Sequence, residues 1–152
     1  YTEKNIDGGK LESVPLYILV GPNTFSAAEE FAYNLKHMGR ATIIGEPSKG
    51  GANPWRWFPL TDNMRIGIPA TRAINPITQT NWEGKGVIPN VEASQHNALD
   101  KAYELSLESV LANTENAYQK QDIENALSEL RLNKCIASNK LIVGELKERA
   151  TY

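Results

Sequence analysis

Pro15-Leu-Tyr-Ile-Leu-Val20, then Gly21-Pro22-Asn23-Thr24-Phe25, then Ser26-Ala-Ala-Glu-Glu-Phe-Ala-Tyr-Asn-Leu-Lys36 form one continuous passage with three different rhythms. The first six residues are a short, nearly unbroken apolar run closed by turn formers, the pattern of a strand buried on both faces of a parallel sheet. In the third part Ala28, Phe31, Ala32 and Leu35 recur at helical spacing, which predicts a helix over Ser26–Met38 with Gly39 as its C-terminal cap. Ala41-Thr-Ile-Ile44, ended by Gly45, reads as the next strand. Strand, helix and strand with short links make a βαβ unit, so the fold class is α/β with a right-handed crossover.

Working outward, residues 1–14 are polar, with Asp7-Gly8-Gly9 as a turn. Downstream, Glu46–Pro54 has loop composition, and Trp55–Leu60 with Met64–Pro69 predicts a hairpin turning at Thr61-Asp62-Asn63. Thr71–Ile74 continues extended, Asn75–Gly86 is a longer polar loop, and Gly86-Val-Ile-Pro89 closes this half. Past Gln95 the rhythm becomes helical. Leu99, Ala102, Tyr103, Leu107 and Val110 predict a helix over 97–111, and Ile123, Ala126, Leu127 and Leu130 a second over 120–132. Leu141–Arg149 fits either a short third helix or a strand. The division expected is 1–96 as an α/β part and 97–152 as a helical tail, whose apolar stripe suits docking on the core or on a second copy in a homo-oligomer.

The 152 residues are 41% hydrophobic and 22% charged, which excludes wholesale disorder. A net charge of -2 gives no basic surplus for nucleic acid. The single cysteine, Cys135, excludes an internal disulfide and any multi-cysteine metal site, and it reads as a small packed hydrophobe. Because the first residue is Tyr1, a processed or excised piece of a longer chain is expected.

Ser26 has two readings. Ser26-Ala-Ala-Glu29 matches the capping box, in which serine and glutamate satisfy each other's backbone at a helix start. Equally, a serine between a buried strand and a helix stands at the carboxyl edge of the sheet, where α/β proteins hold ligands. There the free amides and partial positive charge of the helix tip stabilise an anion, with the Ala27 amide the nearest donor.

Several motifs occur in order: Pro15–Val20, Thr24–Lys36, Gly39-Arg-Ala-Thr-Ile-Ile-Gly-Glu46, Gly50-Gly51-Ala52 and Glu83-Gly-Lys-Gly-Val-Ile-Pro89. Together they resemble the C-terminal processing peptidase (tail-specific protease) family, in the branch of interphotoreceptor retinoid-binding protein and the tricorn-type peptidases. The resemblance implies a crotonase/Clp-protease-like spiral sheet of which residues 1–96 are the C-terminal part. It implies Ser26 as nucleophile, the Ala27 N–H as an oxyanion donor, and Glu83 as the carboxylate that orients a histidine. It also implies a polypeptide substrate, no cofactor or metal, and by family habit a place in the periplasm or cell envelope.

Two departures stand out. The position of the lysine base used by many members is Gly51 here, leaving nearby Lys49 as an alternative base. Asn90 stands where an aspartate is usual. His37 lies about three helical turns from Ser26, ~16 Å away, and His96 precedes the helical tail, so neither fits the base. The histidine and a second oxyanion donor are expected from the rest of the catalytic domain upstream, and this piece alone is expected to be inactive. The competing class is a non-catalytic module for retinoid, fatty acid or peptide on the same scaffold, in which Trp55, Trp57 and Trp82 line a groove or, more plainly, pack.

Overall fold

The computed structural model describes residues 8–9 and 11–149, with side chains described through residue 134. Asp7 and the Cys135 side chain lie outside the described part. The βαβ unit forms as expected: β1 (Tyr17–Val20), α1 (Ala27–His37) and β2 (Thr42–Gly45), with β1 and β2 parallel. The hairpin is β3 (Trp55–Thr61) and β4 (Met64–Pro69), antiparallel, with an irregularity in register between Pro59 and Thr61. β5 (Val91–Glu92), which has no signal in so short a segment, pairs parallel with β2 and completes a sheet of order β1-β2-β5. Asn90 sets that pairing. Its backbone N–H donates to the Ile43 carbonyl, and its Oδ1 accepts the Ile43 N–H at 2.9 Å. An aspartate oxygen accepts in the same way, so this departure changes nothing locally.

Alternation along the strands divides the core between the two faces of the sheet. On one face Val20 and Ile43 pack with Ala32 and Tyr33 of α1 and with Ala52, Trp82 and Val87 from the loops. On the other, Ile44 packs with Ala98 and Ala102 of α2 (Ala98–Asn113), flanked by Tyr17, Val91 and Leu105. The first tail helix is therefore seated on the sheet. α3 runs unbroken over Ala117–Arg149, so Leu141–Arg149 is its last part and not a separate element. It is tied to α2 by ion pairs: Glu104, which also pairs with Lys101 on its own helix, meets Arg131 and Lys134 of α3, and Glu108 meets Arg131.

Three sequence expectations are corrected. Among the described residues β1 is an edge strand, with Leu19 41% exposed, and it is β2, flanked on both sides, that is buried along Ile43–Gly45. On α1 the buried face is Glu29, Ala32 and Tyr33, while Ala28 and Phe31 are exposed. The reason is the 75–87 loop, which supplies Thr78 and Thr80 hydroxyls to the Tyr33 phenol and the Trp82 ring against its face. On α2 the inward residues are Ala98, Ala102 and Leu105, with Leu99, Tyr103 and Val110 exposed. Small residues let that helix approach the sheet closely.

Candidate active site

β1 and β2 both end at the same edge of the sheet, and the loops leaving them are joined where the Lys49 amide donates to the Thr24 carbonyl at 3.0 Å. Ser26 ends the first of these loops and caps α1. Its backbone sits at φ 57° and ψ −123°, a region that a residue with a Cβ occupies only when its surroundings hold it there. Such strain clusters at functional sites.

What holds it is Glu29, whose larger role the capping box does not reveal. The Glu29 carboxylate is fully buried. Oε2 accepts the Ser26 amide at 2.8 Å and the Gly51 amide at 2.9 Å, and Oε1 accepts the Ser48 hydroxyl and the Gly50 amide, each at 2.6 Å. Burial alone raises a carboxyl pKa. Here the Ser48 hydroxyl and the Gly51, Gly50 and Ser26 amides outweigh it and hold Glu29 below the usual glutamate value. Ser26 Oγ faces the Glu29 amide in capping-box fashion without completing a cap hydrogen bond of ordinary geometry. Glu29 thus binds the turn before α1 to the Gly-rich 48–51 loop. Ser48 extends the link, taking the Val87 amide at 2.6 Å. Gly86 passes so close to the Ser48 carbonyl, at φ 75°, that no side chain fits there.

Beside this turn is an open cleft of about 640 Å³, and Ser26, Ala27 and Glu83 all line it. Ala27 is the first helical residue, so its N–H has no intrahelical acceptor. Glu83 is positioned by its own loop: its amide donates to Asn81 Oδ1, and its Oε2 accepts the Ala52 and Asn53 amides at 2.6 and 3.0 Å. Phe25 and Trp55 supply exposed aromatic surface, with Trp82 beneath them in the lining. Of the three tryptophans, Trp82 is core, 3% exposed, with its indole N–H donating to the Gly51 carbonyl. Trp55 and Trp57 are 55% and 50% exposed and stack edge to face on each other, so packing in a core does not explain them.

Lys49 does not line the cleft. It is exposed, with its ammonium 5.2 Å from the Phe25 ring centre. At Gly51 the Phe25 ring fills the space that a side chain needs, so Phe25 and a residue larger than glycine exclude each other there. His37 packs on the Tyr33 ring at 4.3 Å and faces a second cavity, and His96 is exposed in the turn before α2. Among the described residues no histidine lines the cleft. Chemically, the cleft offers a hydroxyl at a helix tip, an amide beside it and a carboxylate on its wall.

The family model for peptidase family S41 matches residues 1–93. The chain belongs to peptidase family S41. Within that family it is 35% identical over 78 residues to the chloroplastic carboxyl-terminal-processing peptidase 2 of Arabidopsis thaliana. That alignment covers 51% of this chain, and the chain spans only 15% of the plant protein's length. Among solved structures it is similar to a photosystem II D1 C-terminal processing protease, at 29% identity and a TM-score of 0.49 over 55% of this chain and 21% of that one. A structure of mature CPAF complexed with lactacystin matches at 21% identity and a TM-score of 0.48, covering 73% and 21% of the two chains. The S41 match holds the whole Ser26–Glu83 cleft and stops before α2.

Proposed function

We propose that residues 1–96 are the C-terminal part of the catalytic domain of an S41 serine endopeptidase, followed by the helical segment 97–152. The observation that carries this reading is Ser26, held in strained backbone at the tip of α1, in an open cleft it shares with Glu83. In this reading Ser26 Oγ attacks the scissile carbonyl carbon, and its proton passes to a base. The Ala27 amide and the α1 dipole stabilise the tetrahedral oxyanion. The amine then leaves with a proton, and water hydrolyses the acyl-enzyme. The absence of a histidine among the cleft's described residues supports a base supplied by the upstream rest of the domain and oriented by Glu83, as in the tricorn-type branch. The exposed place of Lys49 outside the cleft weighs against it as that base. The sheet β1-β2-β5 is then a segment of a crotonase/Clp-protease-like spiral.

The test is covalent labelling of the full-length protein by a fluorophosphonate. Labelling is expected at Ser26 and is expected to vanish in Ser26→Ala; labelling that persists unchanged refutes the assignment. A second reading, an apolar-ligand module without catalysis, is favoured by the exposed aromatic surface of Phe25 and Trp55 in the same cleft. It requires quenching of tryptophan fluorescence by retinol or a fatty acid together with no labelling.

A further inference from the structure

A second cavity of about 410 Å³ lies between the end of α1 and the 80–88 loop, and it abuts the cleft. Arg72 and Glu83 line both spaces, so a chain lying along Ser26 leads into the second at these residues. Three cations surround it: Lys36, Arg72 and Lys85. Among the described residues Glu83 is the one carboxylate on its wall, with one of its oxygens already occupied by two amides. Among the described residues none of the three cations forms an ion pair with a carboxylate. Lys36 is fixed in place, its ammonium donating to the Ile88 carbonyl at 2.6 Å. His37, also on the wall, is held below the usual imidazole value by burial and by the charge of Lys36, so it stays neutral near pH 7. With Lys36, Arg72 and Lys85 set against Glu83, the cavity therefore carries a net positive charge, which favours an anionic guest.

We propose that this cavity is a subsite for a carboxylate of the polypeptide lying in the Ser26 cleft, either its terminal carboxylate or an acidic side chain. The inference rests on the peptidase reading for its choice of guest, because the anion a peptide carries along such a path is a carboxylate. Arg72 and Lys85 are exposed, so replacing them leaves the core intact.

The experiment measures fluorescence anisotropy with full-length protein carrying Ser26→Ala, so that no peptide is turned over. Three dye-labelled octapeptides of otherwise neutral residues are compared: a free C-terminal acid, its C-terminal amide, and the amide with one internal Glu. One of the two anionic peptides, and by its identity the source of the carboxylate, is expected to bind about tenfold more tightly than the neutral amide. That advantage is expected to shrink with salt and to disappear when Arg72→Gln and Lys85→Gln are added. Equal binding of all three, no binding, or an advantage that survives the double substitution overturns the subsite. Fluorophosphonate labelling of the unsubstituted protein separates the two ideas. Labelling without charge discrimination removes the subsite alone, and discrimination without labelling removes the peptidase chemistry alone.

Discussion

Replacing Glu29 by Gln tests whether one buried carboxylate holds the Ser26 turn. The change is nearly isosteric, so its cost comes from hydrogen bonding. The carboxylate has two equivalent oxygens, one serving the Ser26 and Gly51 amides and the other serving Gly50 and the Ser48 hydroxyl. An amide has one oxygen and one NH2 group. With its NH2 toward Ser26 and Gly51, two buried N–H donors lose their acceptor. With the amide reversed, Ser48 can accept from it, but the Gly50 N–H is orphaned. The better orientation thus leaves one unpaired N–H, worth about 1–3 kcal/mol, turns the Ser48 hydroxyl proton away from its acceptor, and removes the charge assistance from the remaining bonds. A loss of about 2–3 kcal/mol is expected for Glu29→Gln and about 3–5 kcal/mol for Glu29→Ala, which strands all four donors. Urea denaturation of the full chain at pH 7 measures both. The carboxylate's pKa is lowered on folding, so its contribution is complete above the ordinary glutamate range and is lost as pH falls through the folded value. The gap between wild type and Glu29→Gln should therefore close on acidification. A Glu29→Gln protein as stable as wild type within about 0.5 kcal/mol, or a gap that does not depend on pH, refutes the reasoning.

Ser26→Gly relieves the backbone strain that Ser26→Ala retains, so the glycine variant should be about 1 kcal/mol the more stable of the two in the same denaturation series. The opposite order means that the turn is not strained. Gly51→Lys introduces the lysine that the family resemblance implies for this position, but it drives a side chain into the Phe25 ring; a loss of about 1–3 kcal/mol in thermal unfolding is expected, and none if Phe25 swings out freely. The Lys134 ammonium, with smaller help from Arg131 and Lys101, outweighs burial and brings the Glu104 carboxyl down to about 2. The α2–α3 docking it supports is complete above the ordinary glutamate pKa and weakens as pH falls toward 2; Glu104→Gln should lose this acid dependence, read from hydrogen exchange of α3 amides.

Local signals in the chain specify a good deal. The apolar run before Gly21, the helical spacing after Ser26 and the Thr61-Asp62-Asn63 turn specify β1, α1 and the hairpin, because each depends on neighbours within one or two turns of chain. The ordered motifs from Pro15 to Pro89 carry the S41 family membership for the same reason: they are runs of adjacent residues. The placement of Ser26 at the carboxyl edge of the sheet was legible too, because a strand followed by a helix always turns there. Glu29 showed only its capping half, since its other donors, Ser48, Gly50 and Gly51, come from about twenty residues downstream.

Tertiary structure alone decided which face of each helix is inside, that Trp82 is core while Trp55 and Trp57 are not, and that Ser26 and Glu83 share one cleft. Burial depends on what stands opposite a side chain. For α1 that is a polar loop some forty residues away in sequence, able to satisfy Tyr33 where no apolar pattern predicted a partner. Periodicity records which residues a helix can turn inward together; only the assembled chain determines which of them it does.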